Sequence, residues 1–307
     1  MSIYQYILKR VLMMIPVLLA VTIIVFSILH LVPGDPVHLA LGEMASQQAY
    51  DRMRAELGLD KPLYIQYFSF LGRLFQLDLG KSLIYREDVT KLLRSKLLNT
   101  LELTGSALIL SYFLAVPLGM LAAVKRNTVI DYLSMGIAIA GVSIPSFWLG
   151  FLLISLFSIQ LHWFPIAGYG GIKYLVLPAL TLGFGGAAQV ARMTRSSLLE
   201  VINQDYILTA KAKGLRYWTV ITKHALRNAL IPIVTLLGLR IGWLIGGAVV
   251  VEIVFLRPGV GRLLVTAIYM RDFPIVQGVT LILAVTVILG NLLADILYAV
   301  INPKVHY

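Results

Sequence analysis

The sequence predicts an all-α integral membrane protein with six transmembrane helices. Composition is the first reason: 59% of the 307 residues are hydrophobic and only 13% are charged, about half the charged share of an ordinary soluble domain. Distribution is the second: the apolar residues gather into six stretches. Each is long enough to cross roughly 30 Å of hydrocarbon at about 1.5 Å per helical residue.

The first stretch, 11–31, starts behind Lys9 and Arg10, as a signal peptide does. It is too long for an ordinary signal core and no small-residue cleavage site follows, so it is predicted to be a retained signal anchor. Residues 32–97 come next, with nine basic and eight acidic residues. Their amphipathic stretches, such as "LYIQYFSFLGRLF" (63–75), predict short helices lying on the outer face, not a separate domain. The remaining spans are 101–124, 133–160, 174–194, 229–255 and 275–300. Pro16, Pro117 and Pro145 lie inside spans, which membrane helices tolerate because neighbours re-satisfy the freed backbone groups.

Orientation follows from Lys and Arg near the span ends. With the N-terminus inside, the inner segments hold Lys9, Arg10, Lys125, Arg126, Arg192, Arg195, Lys211, Lys213, Arg216, Lys223, Arg227 and Lys304. The short outer loops hold only Lys173, Arg257, Arg262 and Arg271. Both termini are therefore predicted in the cytoplasm. The net charge of +11 is read as these flanking residues, not as a nucleic-acid surface.

Several chemistries are excluded. There is no cysteine, hence no disulfide, thiolate metal site or cysteine nucleophile. "LGKS" (79–82) resembles the end of a phosphate loop, but the loop's first glycine is replaced by Phe75. "GFGGAA" (183–188) imitates a dinucleotide fingerprint inside a span with no strand before it. "GVSIP" (141–145) lacks the second glycine of a nucleophile elbow. The histidines are scattered, and no metal or cofactor site is expected on this chain.

Arg240 is the one basic residue deep in a span. It lies about 12 residues beyond Asn228, roughly 18 Å along the helix, where charge is costly and faces protein or a watery cavity. Gly238, Gly242 and Gly246 form a small-residue packing stripe on the same helix, and Arg240 points about 160° away from Gly242. Two roles stand open for Arg240: lining a polar pathway, or a structural hydrogen bond to Gln189 or Asn291 at similar depth. Asn291 and Asp295, spaced i, i+4, suit helix packing. Glu102 and Glu252 sit near the outer ends, where snorkelling to water is cheap.

One passage breaks the apolar pattern: "DYILTAKAKGLRYWTVITKHALRNALIP" (205–232). Residues 206–213 predict a helix with Gly214 as its C-terminal cap. Tyr217, Val220, Ile221, His224 and Ala225 then form one apolar stripe of a second helix. Two short helices bent at a glycine make a rigid knob. By periodicity alone it is either a basic helix pair resting on anionic lipid or a docking knob for a cytoplasmic partner.

The passage resembles the cytoplasmic coupling loop of the membrane subunits of bacterial ABC importers. Ala210 and Gly214 match that pattern, while Leu208 stands where the general pattern has a glutamate; lacking the glutamate is usual in the peptide/nickel branch, within which Leu208 replaces a common arginine. "LVPGDP" (31–36), "LGLDKPLYIQY" (57–67), "RMTRSSLLEV" (192–201), "RPGVGRLL" (257–264), "RDFPIVQG" (271–278) and "INPK" (301–304) resemble the first permease subunit of dipeptide, oligopeptide, glutathione and nickel importers. Arg257 replaces a frequent tryptophan. "FWLGFLLISLFS" (147–158) and "WFPIAGYGG" (163–171) are similar to nickel-type members.

The resemblance implies a type I importer fold: one N-terminal helix plus a five-helix core, forming a single permease domain over 1–307. It places 32–97 outside the cell and makes 195–228 the coupling loop, with Asp205, Tyr206, Thr209, Ala210, Lys211, Lys213, Gly214 and Leu215 contacting the ATPase. The implied partners are a homologous second permease, two ATPase subunits carrying ATP and Mg, an extracytoplasmic binding protein and lipid of the bacterial inner membrane. Gln189, Arg240 and Asn291 are the pathway candidates. Short peptides are the expected cargo, a nickel chelate the alternative, and a stand-alone secondary transporter the rival class; such a transporter usually shows an internal repeat, and none is found.

Overall fold

The computed structural model describes residues 3–31, 37, 41, 46–56 and 58–301. "LVPGDP" (31–36) and "INPK" (301–304) fall almost wholly outside it, as does any packing role of Gly238. Where no water competes, each backbone N–H and C=O must find its partner within the segment, so apolar sequence becomes helix. The helices are α1 (Ile3–Leu31), α2 (Gln47–Glu56), α3 (Leu63–Phe75), α4 (Val89–Val124), α5 (Val129–Ser143), α6 (Ser146–Leu153, prolonged as a π-helix over Ile154–Gln160) and α7 (Lys173–Ile202). They continue as α8 (Asp205–Ala212), α9 (Tyr217–Thr219), a π-helical turn Val220–Ala225, α10 (Leu226–Val254), α11 (Val260–Tyr269) and α12 (Phe273–Ile301). Among the described residues, strand pairing is limited to one bridge, Lys81 to Asp88.

Each of the six predicted spans falls on these helices, but the third is not one rod. α5 and α6 are bent by 112° at Ile144–Pro145. Ile144 takes φ −81°, ψ 123°, the extended conformation that proline forces on its predecessor. The Ser143 hydroxyl also donates to the Ile139 carbonyl at 3.0 Å, a back-bond that bends helices. The pair still runs from one end of α7 toward the other. Asp131 meets Arg195, Gly141 lies against Phe184 and Ala188, and Gly150 lies against Thr181.

One compact unit is built mainly on Leu101–Arg257, with α12 from Val287. Its largest core joins Leu103 and Ala107 of α4, Leu177 and Leu182 of α7, and Leu244, Ala248 and Val251 of α10. Small residues let α4 and α7 approach closely: a Cβ on Gly183 would lie 2.6 Å from the Ala107 carbonyl oxygen, and one on Gly119 would lie 2.7 Å from Thr194 Cβ.

The other unit comprises Lys9–Thr100 and Pro258–Thr286. Val89 and Leu93 of α4 pack there against Val260, Ala267, Ile275 and Val279. The helix predicted at 63–75 forms as α3. Its inner face, with Tyr67, Phe70 and Leu74, packs on Phe26 of α1 and Leu281 of α12, and the Tyr67 hydroxyl hydrogen-bonds Thr22 Oγ1 at 2.9 Å. α3 therefore lies beside α1, about 8–14 Å back from the helix end at Leu31.

Candidate functional site

The polar passage is a helical hairpin seated on the end of α7. α8 opens with Asp205 in its first turn, where a carboxylate complements the helix dipole. It closes with Gly214 at φ +76°, whose N–H returns to the Lys211 carbonyl at 2.9 Å. That left-handed conformation is the usual helix exit and suits glycine. The second arm is not a separate short helix: from Tyr217 it continues through the π turn into α10.

Ile207 and Ala210 of α8, with Val220, Ile221 and Ala225 of the second arm, are buried together with Leu198 and Val201 of α7 and Ala123 of α4. The predicted stripe thus holds for Val220, Ile221 and Ala225. His224 is half-buried because within the π turn burial recurs five residues after Val220, at Ala225, and not at four; Tyr217, ahead of the turn, is 47% exposed. Asn228 Nδ2 donates to Tyr206 Oη at 2.7 Å and ties the two arms.

The coupling candidates divide by face. Ala210 points into the core, and the Thr209 hydroxyl donates back to the Asp205 carbonyl. Asp205, Tyr206, Lys211, Lys213, Gly214 and Leu215 are exposed, beside Leu208, Tyr217 and Trp218. Tyr206, Tyr217, Trp218 and Arg216 on this face are residue types enriched at protein interfaces.

Below the hairpin lies a joint that sequence reading missed. Arg195 donates from Nε and Nη2 to the two carboxylate oxygens of Asp131 at 2.6 and 2.7 Å. Asp131 Oδ2 also accepts the Asn127 N–H at 3.0 Å. One buried carboxylate thereby holds the α4–α5 turn to the part of α7 that carries the hairpin. An acid at the start of an apolar span was the available signal.

Arg240 and Gln189 are brought together: Arg240 Nη2 donates to Gln189 Oε1. The guanidinium lies over Gly186, where a Cβ would sit 3.2 Å from Nη1. Asn291 is not part of this cluster. It lies on the other side of α10, where a Cβ on Gly242 would be 3.1 Å from Val287 and 3.9 Å from Asn291 Oδ1. Gly242 thus packs on α12, but a Cβ on Gly246 would meet nothing within 4 Å. The close approaches are made instead by Gly247 to Leu182 and by Gly290 to Ile241.

Glu252 does not snorkel: it is fully buried, and Arg257 is 1% exposed. Arg257 pairs with Glu102 and stacks over the Tyr169 ring at 5.0 Å, so charge pairing and ring contact replace water. Asp272, also missed, is buried and accepts from the Ser82 hydroxyl at 2.5 Å and the Ile84 N–H at 3.1 Å. The serine of "LGKS" is thus engaged in a structural bond.

Residues 115–307 match the family described as binding-protein-dependent transport system inner membrane component, and residues 3–104 match its N-terminal counterpart. The chain belongs to this family. It is a permease subunit of an ABC importer of the peptide/glutathione type, a transport component of the membrane. This permease is 45% identical over 303 residues to the glutathione transport system permease protein GsiC of Salmonella typhimurium, covering 99% of each chain. Its identity to GsiC of Escherichia coli strain K12 is 44% over the same length and share. The inward-facing MetNI methionine ABC transporter aligns with TM-score 0.59 at 22% identity, covering 69% of this permease and 96% of that chain. The fold is that of a type I importer transmembrane domain.

Proposed function

We propose that this permease moves short peptides across the bacterial inner membrane, driven by ATP hydrolysed on partner chains. End-to-end similarity to glutathione transport permeases carries the cargo reading, since glutathione is itself a short peptide. In this reading both termini face the cytoplasm, two ATPase subunits power the importer, and their closure is transmitted to this chain through the hairpin 205–227. A second, homologous permease completes the passage, and an extracytoplasmic binding protein delivers cargo. ATP and Mg belong to the ATPases. Closure of the motor displaces the hairpin, and its buried face on α4 and α7 carries that displacement into the spans.

The test is reconstitution. Alone in lipid vesicles, the chain should neither hydrolyse ATP nor accumulate peptide. With a second permease, ATPases and a binding protein added, ATP should drive uptake of di- to oligopeptides. Uphill uptake by the single chain without ATP would sink the reading, and nickel uptake in place of peptide would overturn the cargo.

A further inference from the structure

Given the peptide-permease reading above, we propose that Arg240 is a recognition point for a free carboxylate on the cargo. Three arginines are held among the helices of the same unit, and they differ in one respect. Arg195 has Asp131 and Arg257 has Glu102. Among the described residues, no carboxylate pairs with Arg240; its polar contact is the neutral amide oxygen of Gln189. A guanidinium in the middle of a span without a counter-ion is unfavourable. The other two arginines, at the ends of spans where water is nearer, each have a carboxylate all the same.

The surroundings fit a visiting anion. A guanidinium offers five donors, and the bond to Gln189 engages one nitrogen. Gln189 is exposed and Arg240 half-buried, so the pair is reachable from outside the chain. Gly186 contributes no side chain where Nη1 lies, leaving the flat guanidinium against bare helix. A carboxylate meets such a fork with two parallel hydrogen bonds, charge-assisted and stronger than an amide contact. Gln189 then acts as a resting partner: being neutral, it holds the guanidinium between transport events and gives way more readily than a carboxylate would. The free C-terminus of a short peptide supplies that anion.

The experiment uses the complete importer in vesicles and two cargo peptides of identical sequence, one ending in a free acid and the other in an amide. Any preference of the binding protein is common to wild type and variant, so the change in acid-to-amide uptake ratio isolates the permease. Arg240→Gln should lower that ratio about tenfold, chiefly by slowing the acid, while Arg240→Lys keeps part of it. An unchanged ratio would overturn the assignment. Copurification of the subunits is measured alongside: loss of assembly in Arg240→Gln would place the missing carboxylate on the second permease and overturn the cargo role. Wild type that takes up neither peptide would sink the peptide reading itself, without recourse to any variant.

Discussion

Replacing Gly214 by tryptophan should leave the permease inserted and assembled yet reduce peptide transported per ATP by about tenfold or more. Two effects combine. Gly214 sits at φ +76°, where a residue with a Cβ costs about 1–2 kcal/mol. Among the described residues nothing lies within 4 Å of the position a Cβ would take, so the first side-chain atom enters open space. It would instead project from the exposed face that carries Leu215, Tyr217 and Trp218. A graded series separates strain from obstruction. Gly214→Asn tolerates the left-handed turn and should be mild, Gly214→Ala carries strain alone, and Gly214→Trp adds bulk. ATPase activity and uptake are measured together on the reconstituted importer. A wild-type ratio in the tryptophan variant would reduce the hairpin to a helix pair lying against lipid.

Asp131→Ala should be the most destabilising single change at the hairpin's base. It leaves Arg195, whose side chain is 26% exposed, without its bidentate partner and frees the Asn127 N–H from its bond. Breaking a buried pair on one side costs about 3 kcal/mol, taken at the lower end because Arg195 retains some access to water. The midpoint of heat unfolding in detergent should fall clearly. The exchanged pair Asp131→Arg with Arg195→Asp should recover part of the loss, whereas Arg195→Ala added to Asp131→Ala should cost little more. Full additivity of the two alanine changes would show that the side chains act independently.

The spans were legible because length and apolarity alone dictate helix in a membrane. Gly214 was legible too, since a glycine directly after a polar helix has few other reasons to be there. The break at Pro145 was not: Pro117, Pro178 and Pro232 lie inside unbroken helices, so proline by itself does not distinguish the cases. The Ser143 back-bond that accompanies the break emerges only once the helix exists. Partner choice was equally hidden. Asp131 and Arg195 are 64 residues apart, and periodicity carries no information at that range. The glycine stripe on α10 was read from spacing alone, but a Cβ on Gly242 would meet a neighbour and one on Gly246 would not, because contact depends on where the other helices run. Gln189 beside Arg240 was within reach of sequence because both were placed at similar depth.

The Asp131 joint also bears on how the chain is made. Asn127 is available to that carboxylate at once, but Arg195 leaves the ribosome 64 residues later, roughly 3–13 s at about 5–20 residues per second. For that interval the nascent α4–α5 hairpin sits in the bilayer without the guanidinium that fixes it. Its position stays provisional until α7 arrives. The chain contains no cysteine, so Ser134→Cys would provide a unique reporter. It should be alkylated faster in ribosome-arrested chains too short for Arg195 to have emerged than in those long enough for the whole of α7 to have entered the membrane. Equal rates would mean the early hairpin settles unaided; a difference would make the arrival of Arg195 the step that commits the first half of the protein to its final place.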